Sequence, residues 1–293
     1  MRAHQTSSSL RRPALRWHGG KWRLAPWIIS HFPSHRVYVE PYGGAASVLL
    51  RKPRSYAEIY NDLDDDVVGL FRILRDPVTA ERLIHLLHAT PFARAEFDEA
   101  YEATDDAVER ARRLIIRSFM GFGSDGHRAS HKTGFRSNSS RSGTTPSHDW
   151  ANYPEALLTL VNRLSGVVIE CRPAIDVMRQ HDSPDTLHYV DPPYLPETRS
   201  GAHSGTGIPS HGYNHEMTRL DHVALLLFLQ SLQGAVVLSG YPSRLYQEGL
   251  PGWHRVERLA AADGAGVRTE VLWLNARARE ATPQLFDEWA GEA

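Results

Sequence analysis

Apolar residues along this chain gather in short blocks with two different spacings. Compact runs at 37–39, 57–60, 167–171, 186–190 and 235–239, rich in Val, Ile, Leu and Tyr, have the length and composition of buried strands. Between them, apolar positions three and four apart run through 80–87, 92–101, 107–119, 153–164, 174–180 and 217–232, the period of helices that bury one face. Residues 253–259 and 268–274 read as a terminal antiparallel pair. Strands that alternate with helices predict an α/β fold, a Rossmann-like, mostly parallel sheet with flanking helices. The helical signal breaks at Gly121-Phe122-Gly123-Ser124. From 121 to 150 the chain is rich in Gly, Ser, Thr and His, with Arg128, Lys132, Arg136 and Arg141 against Asp125 and Asp149. A loop of that length is too long for a plain connector. The pattern therefore divides the chain into a flexible tail (1–15), a main domain in two pieces (16–76 and 151–293) and an inserted helical and loop subdomain (77–150).

Two predicted strands end alike, in Glu40-Pro41-Tyr42 and in Asp191-Pro192-Pro193-Tyr194. Proline lacks the N–H that a sheet ladder needs, so each strand stops there on a rigid backbone. The Asp191 carboxylate and the Pro192 carbonyl can both accept from an NH2 group. The Tyr194 ring offers a face for a planar heterocycle, a contact worth about 1–3 kcal/mol per base. Taken alone, these four residues are equally well a proline turn that closes a strand. The sheet decides between the two, because ligands of parallel α/β sheets bind at the carboxyl ends of strands, where both acid-proline-aromatic ends lie.

Gly43-Gly44 follow the first of these ends and lead into a helix, the order in which doubly wound folds build nucleotide sites. Neither G-x-x-x-x-G-K-[ST] nor G-x-G-x-x-G is present, so a P-loop and a dinucleotide fingerprint are unsupported. The next predicted strand ends in Asn61-Asp62, and Asp62, about 20 residues past the glycines, is placed to accept from ribose hydroxyls. Asp64, Asp65 and Asp66 read as helix caps and dipole partners. Upstream, Arg16-Trp17-His18-Gly19-Gly20-Lys21-Trp22 sets paired glycines beside an apolar face and a cation, a pattern that also fits a turn before the helix near Leu24-Ala25-Pro26.

Composition narrows the setting more than the chemistry. The 33 Lys and Arg against 34 Asp and Glu leave a net charge of -1, so a nucleic-acid surface must be a local basic patch. A single cysteine, Cys171, excludes an internal disulfide and the cysteine-rich metal motifs. No apolar run approaches a membrane span and residues 1–13 carry no secretory signal, so a cytoplasmic protein is expected. His211 and His215 have i, i+4 spacing, yet they fall in a Gly- and Asn-rich loop, and no metal is expected.

With these motifs in this order, the chain from about 16 to 275 resembles the Dam-type N6-adenine DNA methyltransferases, their phage-borne members especially. Trp17-His18-Gly19-Gly20-Lys21 looks like the family's N-terminal motif, Glu40 to Ser47 like its cofactor loop and Tyr60-Asn61-Asp62 like its ribose-binding strand end. Residues 117–124 resemble the lead-in to its target-recognition region, Asp191-Pro192-Pro193-Tyr194 its catalytic motif, and residues 268–275 its closing strand. The resemblance implies S-adenosylmethionine as cofactor, held by Trp17, Lys21, Glu40, Tyr42, Gly43, Gly44, Asp62 and Asp191. It implies catalysis by Asp191, Pro192 and Tyr194 on the N6 of a flipped-out adenine, with double-stranded DNA as partner and a restriction endonuclease as a candidate second partner. The 77–150 insertion becomes the target-recognition region, with Arg128, Lys132 and Arg136 as candidate DNA contacts.

Departures fall at Ala46, where the family often has a loop glycine, at Arg172-Pro173-Ala174, which replaces a stretch that commonly carries an Asp facing the cofactor's adenine, and at Gly240, where Asn is frequent. Asp176 is the candidate substitute for the missing Asp. Chemically, hydrogen bonds from N6–H to Asp191 and the Pro192 carbonyl would favour a pyramidal, more nucleophilic nitrogen, and no metal is needed. Other planar amines, cytosine N4, RNA adenine or a protein glutamine, suit the same logic, and a catalytically silent DNA-binding module is the alternative from another class.

Overall fold

The computed structural model describes residues 10, 12–123, 126, 128–138, 144–198, 213–261 and 267–280. Its sheet is built from β1 (Val37–Glu40), β2 (Ala57–Asn61), β3 (Val167–Glu170), β4 (Thr186–Val190), β5 (Ala235–Gly240), β6 (His254–Ala261) and β7 (Val267–Leu274), in the order β3-β2-β1-β4-β5-β7-β6. The pairs from β3 through β5 are parallel. β7 alone reverses, antiparallel to both β5 and β6. The expected mostly parallel sheet and its terminal antiparallel pair are both present.

Period-two alternation sorts the strand residues between two core layers. Tyr38, Tyr60, Tyr189, Val237 and Leu272 face one layer, and Val39, Ile59, Val190, Leu238 and Trp273 the other. The second layer is covered by the helices Ala174–His181, Arg219–Leu229 and Arg244–Gly249. The first holds the helices Asp65–Arg75, Pro77–Ala89, Ala107–Met120 and Tyr153–Leu164 in a single cluster with the strands. The helices of the 77–150 segment thus share one core with the sheet. The helix expected over 217–232 is shorter, because Thr218 and Asp221 form a capping box that sets its start.

The tail expected over 1–15 must be shortened. Residues 1–9 and 11 lie outside the described part, but Ala14 and Leu15 are buried in the main cluster, and Tyr153 donates its hydroxyl proton to the Ala14 carbonyl. The Arg16 N–H donates to Ser118 Oγ (2.8 Å), which donates back to the Arg16 carbonyl (2.9 Å). That exchange fixes the Trp17–Lys21 stretch against the helix Ala107–Met120. On the same helix Arg117 is buried, donating to the Ala100 carbonyl (2.7 Å) and pairing with Asp66 at 3.1 Å.

On β2 a buried carboxylate, Glu58, is held closely by two cations, Lys52 at 2.7 Å and Arg163 at 2.6 Å, with the exposed Arg54 farther off at 3.9 Å. Burial alone would raise the Glu58 pKa, yet the hydrogen bonds from Arg163 and Lys52 outweigh it and hold the group below its ordinary value. Burial pulls Lys52 down, against the pull of Glu58 and with the Arg163 charge adding to it. Removing Glu58 would leave both cations facing each other in a low dielectric. Glu58→Ala is expected to cost about 3–5 kcal/mol in urea unfolding at neutral pH. Because the folded pKa is depressed, this stabilisation is present above the ordinary carboxylate range and is lost as pH falls through the folded value, so the deficit of the variant shrinks in acid. A deficit below about 1 kcal/mol would mean that the trio is a screened surface pair.

Candidate active site

The carboxyl ends of β1, β2 and β4 open onto a cavity of about 400 Å³. Its walls come from the Trp17–Lys21 stretch, the loop 40–48, Asp62 to Asp64, Pro173 to Ile175, Asp191 and Pro193, and residues 213–217. Trp17, Lys21, Glu40, Tyr42, Gly43, Gly44, Asp62 and Asp191, expected from the sequence to hold a cofactor, all line this one cavity.

The loop after β1 is shaped by contacts that no side chain could share. A Cβ on Gly43 would sit 2.1 Å from the Tyr60 ring, and Gly44 has φ +47 with the Trp17 indole 2.7 Å from where its Cβ would be. The Tyr60 hydroxyl donates to the Gly44 carbonyl at 2.7 Å, pinning the turn to β2. Ala46 adopts φ 54, the left-handed region, at the N-cap of the helix Ser47–Arg51. A left-handed alanine costs about 1–2 kcal/mol, which explains why glycine suits this place. The alanine is tolerated because its methyl is completely buried.

Asp62 organises this turn from the next strand. One carboxylate oxygen accepts from the Gly44 N–H (2.7 Å) and the other from the Asp64 N–H (2.8 Å). Burial pushes the carboxyl up to about 6 despite those two bonds. Asp64, not Asp62, caps the helix Asp65–Arg75, accepting from the Asp66 N–H. Glu40, 2% exposed, accepts from the Tyr38 hydroxyl (2.6 Å) and the Leu49 N–H (2.9 Å) on one oxygen. Burial pushes it up to about 8, with the nearby Asp191 charge adding to the rise.

Asp191 follows β4, and its Oδ1 takes two donors, Ser239 Oγ at 2.7 Å from β5 and Lys21 Nζ at 3.0 Å. Burial works against the Lys21 charge, but the Asp191 and Glu270 carboxylates prevail and its pKa lies above the ordinary value. Tyr194 is buried rather than in the cavity wall. Lys21 Nζ lies 4.5 Å from its ring centroid, Tyr241 packs edge-on at 4.6 Å, and its hydroxyl donates to Glu270 at 2.9 Å. Pro192 is buried beneath, and Pro193 reaches the cavity.

Sequence reasoning missed Ser239, Glu270 and the wall at 213–217. Ser239 stands inside an apolar strand with no local pattern to mark it, and Glu270 lies in the 268–275 stretch that reads as a closing strand without a role for its carboxylate. Asp176 does not replace the missing Asp, since its exposed carboxylate pairs with Arg179 at 2.9 Å and the cavity there is lined by Pro173, Ala174 and Ile175. Gly240 has a physical reason, because a Cβ there would lie 3.2 Å from Trp273 and 3.3 Å from Tyr246. His215 lines the cavity, His211 lies outside the described residues, and among the described residues no three His, Cys, Asp or Glu side chains cluster as a metal site needs.

The three basic candidates of the insertion are placed differently from one another. Arg128 donates from Nε to Asn214 Oδ1 (3.2 Å), and Asn214 in turn donates to Asp64 (2.7 Å), which puts Arg128 at the cavity's rim. Lys132 is half-exposed and pairs with Asp98 at 2.9 Å. Arg136 is partly buried, its guanidinium donating to the Phe119 carbonyl at 2.9 Å. Arg141 lies outside the described residues.

A 3-2-1-4-5-7-6 sheet with only β7 reversed, carrying an acid-Pro-Pro-Tyr end on β4 beside a glycine loop on β1, defines the class as an α/β methyltransferase. The chain belongs to the D12 class N6 adenine-specific DNA methyltransferases, whose family model matches residues 17–233. It is 24% identical over 257 residues to a DNA adenine methylase of Salmonella typhi, covering 85% of this chain and 86% of that protein. It is 27% identical over 195 residues to the DNA adenine methylase of Escherichia coli K12, covering 63% of this chain and 66% of that one. The protein is thus an enzyme that methylates adenine in DNA. No helix among the described residues is long and apolar enough to cross a membrane.

The raised Asp62 pKa has a measurable cost. A carboxyl whose folded pKa is about 6 against an ordinary 3.8 stabilises the fold below the lower value, and that contribution is lost as pH rises through the higher one. The difference in unfolding free energy between the parent and Asp62→Asn should therefore change by about 2 kcal/mol between pH 4 and 6.5, at 1.36 kcal/mol per unit. A difference constant over that range would show an ordinary, solvated carboxylate at position 62.

Proposed function

We propose that the cavity binds S-adenosylmethionine and that Asp191, Pro192 and Tyr194 present the N6 of a flipped adenine from duplex DNA to it. The observation that carries this reading is the Asp191 carboxylate, held on one oxygen by Lys21 and Ser239 at the edge of a glycine-lined cavity. The donor set suits the cofactor. The Asp62 carboxylate would accept from a ribose diol, Pro173, Ala174 and Ile175 would offer an apolar slot for the adenine, and Gly43 and Gly44, packed under the Tyr60 and Trp17 rings, hold the loop in the tight turn that borders the cavity. When bound, the cofactor supplies an electrophilic methyl with its own leaving group.

The chain's residues then have only to orient the nucleophile. Two donors on Oδ1 fix the Asp191 rotamer, so its second oxygen accepts one N6–H while the Pro192 carbonyl accepts the other. That arrangement pulls the nitrogen lone pair out of conjugation and stabilises positive charge as it develops on N6. Extruding the base costs a few kcal/mol, which contacts to the base and to the duplex it leaves would offset. The Tyr194 face is covered by Lys21 in this conformation, and stacking there requires the base to take a place beside the ammonium.

Asp191→Ala is expected to abolish transfer of labelled methyl to DNA while S-adenosylmethionine binding, followed by calorimetry, persists within about tenfold, because the carboxylate acts mainly at the amine. Asp191→Asn should be severely impaired as well, since an amide offers an acceptor without charge. Turnover near the parent's in either variant would sink the assignment, and digestion of the product to nucleosides separates N6-methyladenine from cytosine N4 methylation.

For the duplex, we infer that Arg128 and Lys132 are the contacts of the insertion and that Arg136 is structural. The exposed Lys132–Asp98 pair contributes little and can be exchanged for phosphate, whereas Arg136 closes the end of the helix Ala107–Met120. Lys132→Ala should weaken all sequences alike and lower the salt slope by about one unit, and Arg128→Ala should cost about 1–3 kcal/mol at a single base of the target. Binding by both variants that matches the parent at every salt concentration would remove the insertion from target recognition.

A further inference from the structure

We propose that Glu270 is a positioning residue for methyl transfer: from β7 it fixes the hydroxyl of Tyr194, the ring on whose face the Lys21 ammonium lies, so that Asp191 keeps its strength as an acceptor. The inference rests on the reading of Asp191 given above and extends it to a carboxylate outside the cavity wall.

The geometry begins with an oddity of the site. Lys21 Nζ lies 3.0 Å from Asp191 Oδ1 and is 5% exposed, close enough to draw the carboxylate's charge away from any amine it should bind. A lone buried pair of that kind would leave Asp191 a weaker acceptor. A second carboxylate changes this. Glu270 is 8% exposed, accepts from the Tyr194 hydroxyl at 2.9 Å, and acts electrostatically on Lys21. The ammonium lies over the face of the same ring, 4.5 Å from its centroid. Lys21, the Tyr194 ring and Glu270 thus form one stack, with the cation on the ring face and the anion at the ring's hydroxyl end. The ammonium has the Asp191 carboxylate on one side and, on the other, the Tyr194 ring, which Glu270 anchors at its hydroxyl end.

Among the described residues no other carboxylate bonds the Tyr194 hydroxyl. Arg268, on the same strand, donates to the Thr198 carbonyl (3.2 Å), lies 5.2 Å from the Tyr241 ring centroid and acts electrostatically on Glu270. Ser239 and Lys21 are donors to Asp191, and Glu40 is committed to Tyr38 and Leu49. The place of Glu270 in the register explains why a carboxylate can reach here: Gly240, at the end of β5, pairs with Val271, so Glu270 is the first residue of β7 beyond the β5 ladder, on the side where β4 delivers Asp191.

The test uses the full chain with Glu270→Gln, which keeps an acceptor for Tyr194 and removes the charge, and Glu270→Asp, which restores the charge. Glu270→Gln is expected to slow single-turnover methylation of DNA by about 10- to 100-fold, less than the roughly 100- to 1000-fold of a group that touches the developing charge itself, because Glu270 acts through Tyr194 and Lys21. S-adenosylmethionine affinity and the thermal midpoint should stay close to the parent's. Glu270→Asp should recover at least tenfold of that rate. A parental rate in Glu270→Gln overturns the proposal. So does a rate in Glu270→Asp as low as in Glu270→Gln, and so does a loss that follows cofactor affinity or folding stability in proportion, since each would make Glu270 a packing residue. Asp191→Ala measured alongside keeps the two readings apart. If it stays active, the site itself is misread. If it is inactive while Glu270→Gln is normal, only the role of Glu270 fails.

Discussion

The structure turns on the cost of burying carboxylates side by side. β1 and β4 are adjacent and parallel, so Glu40 and Asp191 arrive at neighbouring strand ends, and the Asp191 charge adds to the cost of ionising Glu40. The fold resolves this by giving the two acids different partners. Glu40 is surrounded by neutral donors and pushed up to about 8, whereas Asp191 receives an ammonium and a hydroxyl. Two chemically similar groups thereby take separate places, one holding the loop to the helix Ser47–Arg51 and one lining the cavity.

Lys21 can serve Asp191 only because the N-terminal stretch is fastened at a distance. Residues 14–15 are in the core, Arg16 is exchanged with Ser118, and the Trp17 indole packs on Gly44. The helix that carries Ser118 also carries Arg117, bonded to Asp66, and its end is closed by Arg136. The insertion and the Trp17–Lys21 stretch are therefore joined through one helix and one hydrophobic cluster. Arg128, Asn214 and Asp64 form a second link, from the insertion to the cavity wall.

Belonging to the D12 class accounts for the architecture but not for the local departures from its pattern, and those have separate physical explanations. Ala46 accepts a left-handed backbone in exchange for a buried methyl. Gly240 makes room for Trp273 and Tyr246. The position expected to hold an acid near Pro173 is apolar in the cavity, and Asp176 points to Arg179.

The sequence by itself determined the strand and helix order, the parallel sheet with its reversed final pair, the two acid-proline-aromatic strand ends and the glycine turn. These are written in local periodicity and in residues whose backbone limits are intrinsic, proline without a donor and glycine without a Cβ. It also marked Lys21, Asp62 and Asp191, because charged residues beside glycines and strand ends stand out against an apolar background. Only the tertiary structure decided what those groups touch. Ser239 is a single polar residue in a buried strand and Glu270 stands where β7 passes from polar to buried, and their meaning comes from registers that set β5 beside β4 and β7 beside β5. The unlike surroundings of Arg128, Lys132 and Arg136 were equally invisible in a loop where all three look the same. Periodicity reports which face of an element is buried, but a hydrogen bond between residues 48 or 76 positions apart depends on how the elements are laid together.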